Sequence, residues 1–167
     1  MVGDVRVAVL ADTHVRDGGG TRLPERATAE LVRADVILHA GDVVEEGLLT
    51  ELRRIAPVHA VLGNNDGALR GVLPESLQLT LGGVQVAMVH DSGARAGREG
   101  RMRRRFPDAG VVVFGHSHIP WNAEGIDGQL LFNPGSATQR RSQPHRTMGV
   151  LELADGRLRT HDVVVVD

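Results

Sequence analysis

Short apolar blocks alternate with mixed segments in the first half of the chain. Residues 5–10, VRVAVL, read as a buried strand, and a loop over 15–23 with Gly18, Gly19 and Gly20 follows it. Pro24 suits the first turn of a helix running to about Arg33. Residues 36–40 predict a second strand, 45–55 a second helix and 58–62 a third strand. That βαβαβ order implies a parallel sheet with right-handed crossovers.

The second half changes rhythm. Apolar runs over 77–81 and 84–89 flank Gly82-Gly83, a two-residue hairpin signal. A short helix is expected over 98–106, then a strand over 111–114. Asp127-Gly128 and Asp155-Gly156 mark two more hairpins, with strands near 129–132, 147–153 and 159–166. Parallel units followed by antiparallel hairpins suggest two mixed sheets packed together with helices outside, an α/β architecture. No repeat or linker divides the chain, so residues 1–167 are expected to form a single domain.

Composition narrows the chemistry. The 167 residues are 41% hydrophobic and 24% charged, which suits one globular core. A net charge of -2 provides no basic field for a polyanion, which makes long nucleic acid an unfavoured partner. The chain has no cysteine, which excludes zinc–thiolate sites, iron–sulfur clusters and thiol nucleophiles. Any metal must therefore be held by nitrogen and oxygen. No apolar run approaches the roughly 20 residues of a membrane span. Asp4 and Arg6 interrupt the N-terminal apolar stretch, which lacks a signal-peptide layout. No membrane partner is expected, and a cytoplasmic enzyme is the resulting expectation.

Candidate ligands collect where strands end. Asp12 and His14 follow the first predicted strand, Asp42 the second and Asn64 the third. His90 follows the strand over 84–89, and His116 and His118 close the one over 111–114. Rigid strands aim such loop residues into one crevice. Imidazole, carboxylate and amide together suit manganese, iron, zinc or cobalt better than calcium or magnesium.

Asp12-Thr13-His14, Gly41-Asp42, Gly63-Asn64-Asn65-Asp66, His90 and Gly115-His116-Ser117-His118 resemble the ordered motifs of the calcineurin-like metallophosphoesterase superfamily. The short chain and Asn133-Pro134-Gly135-Ser136 resemble its small bacterial and archaeal phosphodiesterase branch. The resemblance implies a four-layer α/β/β/α sandwich of two mixed sheets. A dinuclear metal site would lie at the C-terminal edge of the strands. Carried over residue by residue, it gives one ion to Asp12, His14 and His118, and the other to Asn64, His90 and His116, with Asp42 bridging. Two divalent ions are implied, manganese first, with iron, zinc, cobalt or nickel as alternatives. A carboxylate has two oxygens and can bind two cations, which agrees with that division.

The implied reaction is hydrolysis of a small phosphate ester, a diester first, by a hydroxide bridging the metals, with Asp42, Asn64 and Asn65 nearest the chemistry. The alternatives are a phosphomonoesterase or nuclease with the same centre, and a non-catalytic scaffold, because a retromer coat subunit uses this fold chiefly for protein binding. Asn65 stands where many superfamily members carry a proton-donating His, and an amide cannot act as a general acid. Asp91 replaces the usual Gly after His90, where Asp is among the better-tolerated residues if φ is positive. Val15 replaces the Gly commonly found after Asp-x-His. His39, Asp66 and Asp91 are expected to support the ligands from outside. The arginines over 101–105 read as a solvated helix face. Trp121 reads as packing at a subunit interface of a homo-oligomer, or else as a stacking platform for a base.

Overall fold

Strand β1 (Val5–Leu10) positions the rest of the molecule, because its alternate side chains enter two different cores. In the computed structural model, which describes residues 3–167, Val7 and Val9 face a second sheet. Ala8 and Leu10 instead face helices α1 (Glu25–Val32) and α2 (Glu46–Arg53). The helices answer with one apolar side each: Ala27 and Leu31 from α1, and Leu48, Leu49 and Leu52 from α2. Full burial of one such leucine contributes about 1.5–3 kcal/mol.

Strands β2 (Val36–His39) and β3 (Val58–Ala60) run parallel to β1, as the βαβαβ pattern requires. The C-terminal hairpin, β9 (Thr147–Ala154) and β10 (Arg157–Val165), joins the other side of β1 antiparallel. The first sheet therefore has the order β10-β9-β1-β2-β3. Asp155 and Gly156, with φ of +53° and +72°, form the two-residue turn that the sequence marked.

The second sheet comprises β4 (Ser76–Leu81), β5 (Val84–Val89), β6 (Val111–Val113), β7 (Trp121–Glu124) and β8 (Leu130–Asn133), in the order β4-β5-β6-β8-β7. Its centre is parallel: β5, β6 and β8 run the same way. The hairpins marked at Gly82-Gly83 and Asp127-Gly128 form, and the parallel pairs at the centre make this sheet mixed, as the sequence pattern suggested. Val111, Val112 and Val113 are buried on both faces, which is the signature of a central parallel strand. Helix α3 (Arg98–Arg105) covers the outer face through Met102, next to Phe106. Three apolar layers thus separate helices, sheet, sheet and helix, giving the four-layer α/β/β/α arrangement. Among the described residues no helix is long and apolar enough to cross a membrane.

Candidate metal centre

The loops leaving β1 and β2 are stitched together beyond the strands. The Asp12 and His14 amides donate to the Gly41 and Asp42 carbonyls at 2.9 and 3.0 Å, and Val15 bridges Val44. Asp66, buried, gathers three backbone donors onto its carboxylate: Asp42 at 2.9 Å, Val44 at 2.6 Å and Gly63 at 2.7 Å. It ties the loop after β2 to the loop after β3. His39 is fully buried, accepts from the Gly41 amide at Nδ1 (3.2 Å), and so donates from Nε2 to Thr13 Oγ1 (2.8 Å). It steadies the residue between Asp12 and His14 rather than either side chain.

This stitching holds strained backbone. Asp12, His14, Asp42, His116 and His118 all have positive φ, between +48° and +73°, and β-branched Val44 stands at +83°. Each such residue costs on the order of 1–3 kcal/mol, and clusters of them mark functional sites. Gly41, at +96°, is needed for space as well, since a Cβ there would come within 2.6 Å of His90 Nδ1.

The side chains converge in two groups. Asp12, His14 and His118 bring ligand atoms within 4.8 Å of one another, and so do Asp12, Asp42 and His90. Asn64 Oδ1 lies 2.8 Å from His90 Nε2 and 3.2 Å from His116 Nδ1, which adds these residues to the second group. Asp42 stands between the groups. Its Oδ2 is 3.4 Å from His14 Nε2 and 3.6 Å from His90 Nε2, so a single oxygen faces both, where one oxygen per ion was expected. Backbone carbonyls orient two of the rings. His90 Nδ1 donates to Ala40 O at 2.7 Å, and His118 Nδ1 to Gln139 O at 2.6 Å, leaving each Nε2 lone pair aimed inward.

The electrostatics favour a cation. Burial, with Asp42 nearby, pushes the Asp12 carboxyl up to about 8. Burial also acts to raise Asp42, but two hydrogen bonds from Asn65, with His90 and His14, outweigh it and hold Asp42 below its usual range. Burial lowers both His14 and His118, keeping them neutral and able to donate a lone pair. His39 is lowered to about 3, by burial first and then by His90. Asp12 Oδ1, His14 Nε2 and His118 Nε2 are buried and, among the described residues, have no hydrogen-bond partner. An unsatisfied buried polar group costs about 1–3 kcal/mol, and one divalent ion would satisfy all three at once. The residues present fit a metal.

The profile of the calcineurin-like phosphoesterase superfamily domain matches residues 5–156. The chain belongs to that superfamily. A protein of Methanothermobacter thermautotrophicus named as a probable metallophosphoesterase is 32% identical over 137 residues, covering 81% of this chain and 78% of its own. Two solved structures share the fold. Vps29 of Entamoeba histolytica, complexed with zinc, has a TM-score of 0.73 at 22% identity, covering 97% of this chain and 99% of its own. A structure described as a novel archaeal phosphodiesterase has 0.67 at 19%, covering 95% and 99%.

Several superfamily positions behave differently from the sequence reading. The Asn65 side chain is turned onto Asp42: its amide nitrogen donates to Oδ2 and its backbone N–H to Oδ1, both at 2.8 Å. Asp91 does not use positive φ; its carboxylate accepts from the Gly93 amide at 2.7 Å and lies 3.9 Å from His116 Nε2. Trp121 is half-buried in its own chain's third core, under the Arg95 and Arg98 guanidiniums at 4.7 and 5.4 Å. Arg101 is not merely a solvated charge, because it donates to the Ser92, Ala94 and Ala96 carbonyls and so braces the loop after His90.

Sequence reasoning missed the anchoring roles after β8. Asn133 donates to Gly115 O at 3.1 Å and Ser136 Oγ to Asp12 O at 2.8 Å, which fastens the histidine loop and the β1 loop to one segment. The Asn-Pro-Gly-Ser motif was visible, but its partners lie far away in sequence.

A pH dependence follows from Asp12. Its carboxyl sits near 3.8 in an unfolded chain and about 8 in the ion-free fold. Across that window the folded state holds the extra proton, so this group's contribution to stability falls as pH rises. A bound cation would displace the proton and remove the penalty. Manganese binding at pH 6 is therefore expected to release about one proton per chain from this group. Calorimetry in buffers of different ionisation enthalpy measures it, and the absence of proton release at pH 6 would refute the assignment.

Proposed function

We propose that this chain is a two-metal phosphoesterase acting on phosphodiesters. The observation that carries the reading is the trio of buried, unpartnered atoms on Asp12, His14 and His118, beside a second donor set sharing Asp42. Asp12, His14 and His118 would hold one ion, Asn64, His90 and His116 the other, and Asp42 both. Nitrogen and oxygen donors without thiolate suit manganese, with iron, zinc, cobalt or nickel as substitutes. Two divalent ions there would lower the pKa of a bound water and neutralise phosphoryl oxygens.

The chain's own residues prepare that chemistry. Asn65 keeps Asp42 ionised and fixed by donating to both its oxygens. Ala40 and Gln139 fix the rings of His90 and His118, and Asp66 holds the loops that carry Asp42 and Asn64. No imidazole occupies position 65, so no proton donor stands there for a poor leaving group. The relative named as a probable metallophosphoesterase and the archaeal phosphodiesterase of the same fold support a small ester as substrate. The likeness to Vps29 keeps a protein-binding scaffold as the second reading. That neighbour is itself described in a zinc complex, so turnover rather than metal binding separates the two readings.

With manganese added, an aryl phosphodiester is expected to show at least about 10-fold higher kcat/KM than the matching monoester, a difference of about 1.4 kcal/mol in the barrier. The reverse preference would remove the diester assignment. No turnover of either ester would favour the scaffold.

A further inference from the structure

The outer face of the second sheet carries a pair of arginines that the metal centre does not use. Trp121 opens β7, and its ring centre lies 4.7 Å from the Arg95 guanidinium carbon and 5.4 Å from that of Arg98. Arg98 also stands 4.7 Å over the Phe114 ring. Each distance falls within the roughly 6 Å over which an aromatic face attracts a cation, so the rings hold both guanidiniums in place. Among the described residues neither arginine makes a hydrogen bond or an ion pair, and Arg98 Nε is buried without a partner. The neighbouring cations differ: Arg101 donates to the Ser92, Ala94 and Ala96 carbonyls, and Arg103 pairs with Asp127. The acids nearest in sequence are turned elsewhere. Asp91 accepts from the Gly93 amide and faces His116, while Glu99 packs against Gly125.

This pair adjoins both loops that carry the histidines of the second donor group. Val89, in the same core as Trp121, directly precedes His90. Phe114 precedes Gly115-His116, and two trans peptides keep the Phe114 and His116 Cα atoms within about 7.6 Å. Trp121 pairs with Asn133, whose side chain donates to Gly115 O and Ser117 Oγ. Arg95 lies on the loop between His90 and α3, which Arg101 clamps at three carbonyls. Gly93, at φ +80°, leaves room for that clamp, since a Cβ there would come within 2.8 Å of Arg101 Nε. Two anchored cations sharing one ring repel each other, and a bound anion would offset that repulsion. The parallel N–H donors of a guanidinium match the oxygens of phosphate or carboxylate. We propose that Arg95 and Arg98, held on Trp121 and Phe114, form an anion subsite beside His90 and His116 that binds a second phosphate or carboxylate group of the substrate. The substrate class narrows to phosphate esters that carry a further anionic group. The occupant rests on the phosphoesterase reading; the anion subsite itself does not.

The chain has one tryptophan and no tyrosine, so its fluorescence reports on this cluster. Inorganic phosphate is titrated into the full chain kept metal-free with EDTA, so that it cannot bind through an ion. Sodium chloride at matched ionic strength is the control. The expected result is a saturable change in Trp121 emission with phosphate and none with chloride. Phosphate affinity is expected to fall at least about 10-fold in R95A and in R98Q, with partial recovery in R95K. R95A removes an exposed side chain and R98Q keeps most of the stem on Phe114, so Tm stays at the wild-type value. No saturable response, an equal response to chloride, or unchanged affinity in both variants would overturn the proposal. A second arm compares two aryl diesters that differ by a terminal phosphate on the arm opposite the aryl group, with manganese-loaded protein. KM is expected to be at least about 10-fold lower for the ester with the extra phosphate, and that ratio collapses in R95A. Equal KM values in the wild type would overturn the assignment of the substrate as occupant. Phosphate binding at the cluster without hydrolysis of either ester would remove the phosphoesterase reading and leave the anion subsite standing.

Discussion

Asp42→Ala is expected to lower turnover by roughly 10³-fold or more, the scale of losing one charge-stabilising group from a preorganised site. Metal occupancy should fall in both groups together. Asp42 Oδ2 is the atom that faces His14 on one side and His90 on the other, and its carboxyl is held ionised. Without it, two cations would lose their common anion and repel each other with less screening. Asp42→Asn separates charge from shape, since an amide oxygen can still accept one bond from Asn65. Elemental analysis of the purified variants reads the outcome. Two tightly held ions with normal turnover in Asp42→Ala would remove Asp42 from the bridge.

Asp66→Ala is expected to cost about 3 kcal/mol or more of stability, since each buried amide left without an acceptor costs about 1–3 kcal/mol. Three backbone N–H groups, of Asp42, Val44 and Gly63, would lose their acceptor together. Val44, at φ +83°, would also lose the bond that holds it in an unfavourable conformation. Loops carrying Asp42 and Asn64 would loosen, and metal affinity is expected to fall 10–100-fold, as it does when a ligand's support is removed. Urea unfolding with and without manganese measures both effects. A loss below about 1 kcal/mol would mean that water replaces the carboxylate at all three amides.

The strands, and the placement of Asp12, Asp42 and His90 at strand ends, were legible because both leave local traces. Blocks such as VRVAVL are short and rich in β-branched valine, which suits a buried strand rather than a helix, and Asp12, Asp42 and His90 follow such blocks. What stayed hidden depends on partners distant in sequence. Strand β7, WNAE, is a four-residue edge strand with three exposed residues, too short for a pattern, so only its pairing with β8 reveals it. The parallel pairing of β6 with β8 spans a connection that contains the β7 hairpin, which the local turn signals masked. The resemblance places Asn65 where many superfamily members carry a proton-donating His. Its bonds to Asp42, 23 positions earlier, could not be seen in the sequence.

The central claim is that two metal ions on this constellation make a phosphoesterase. The most direct measurement is the rate of aryl phosphodiester hydrolysis by metal-stripped protein as manganese is added back, with bound metal quantified at each point. The rate is expected to be negligible at low occupancy and to peak as bound manganese reaches about two ions per chain, as a shared site requires. Full loading with two ions and no hydrolysis of any phosphate ester would contradict it.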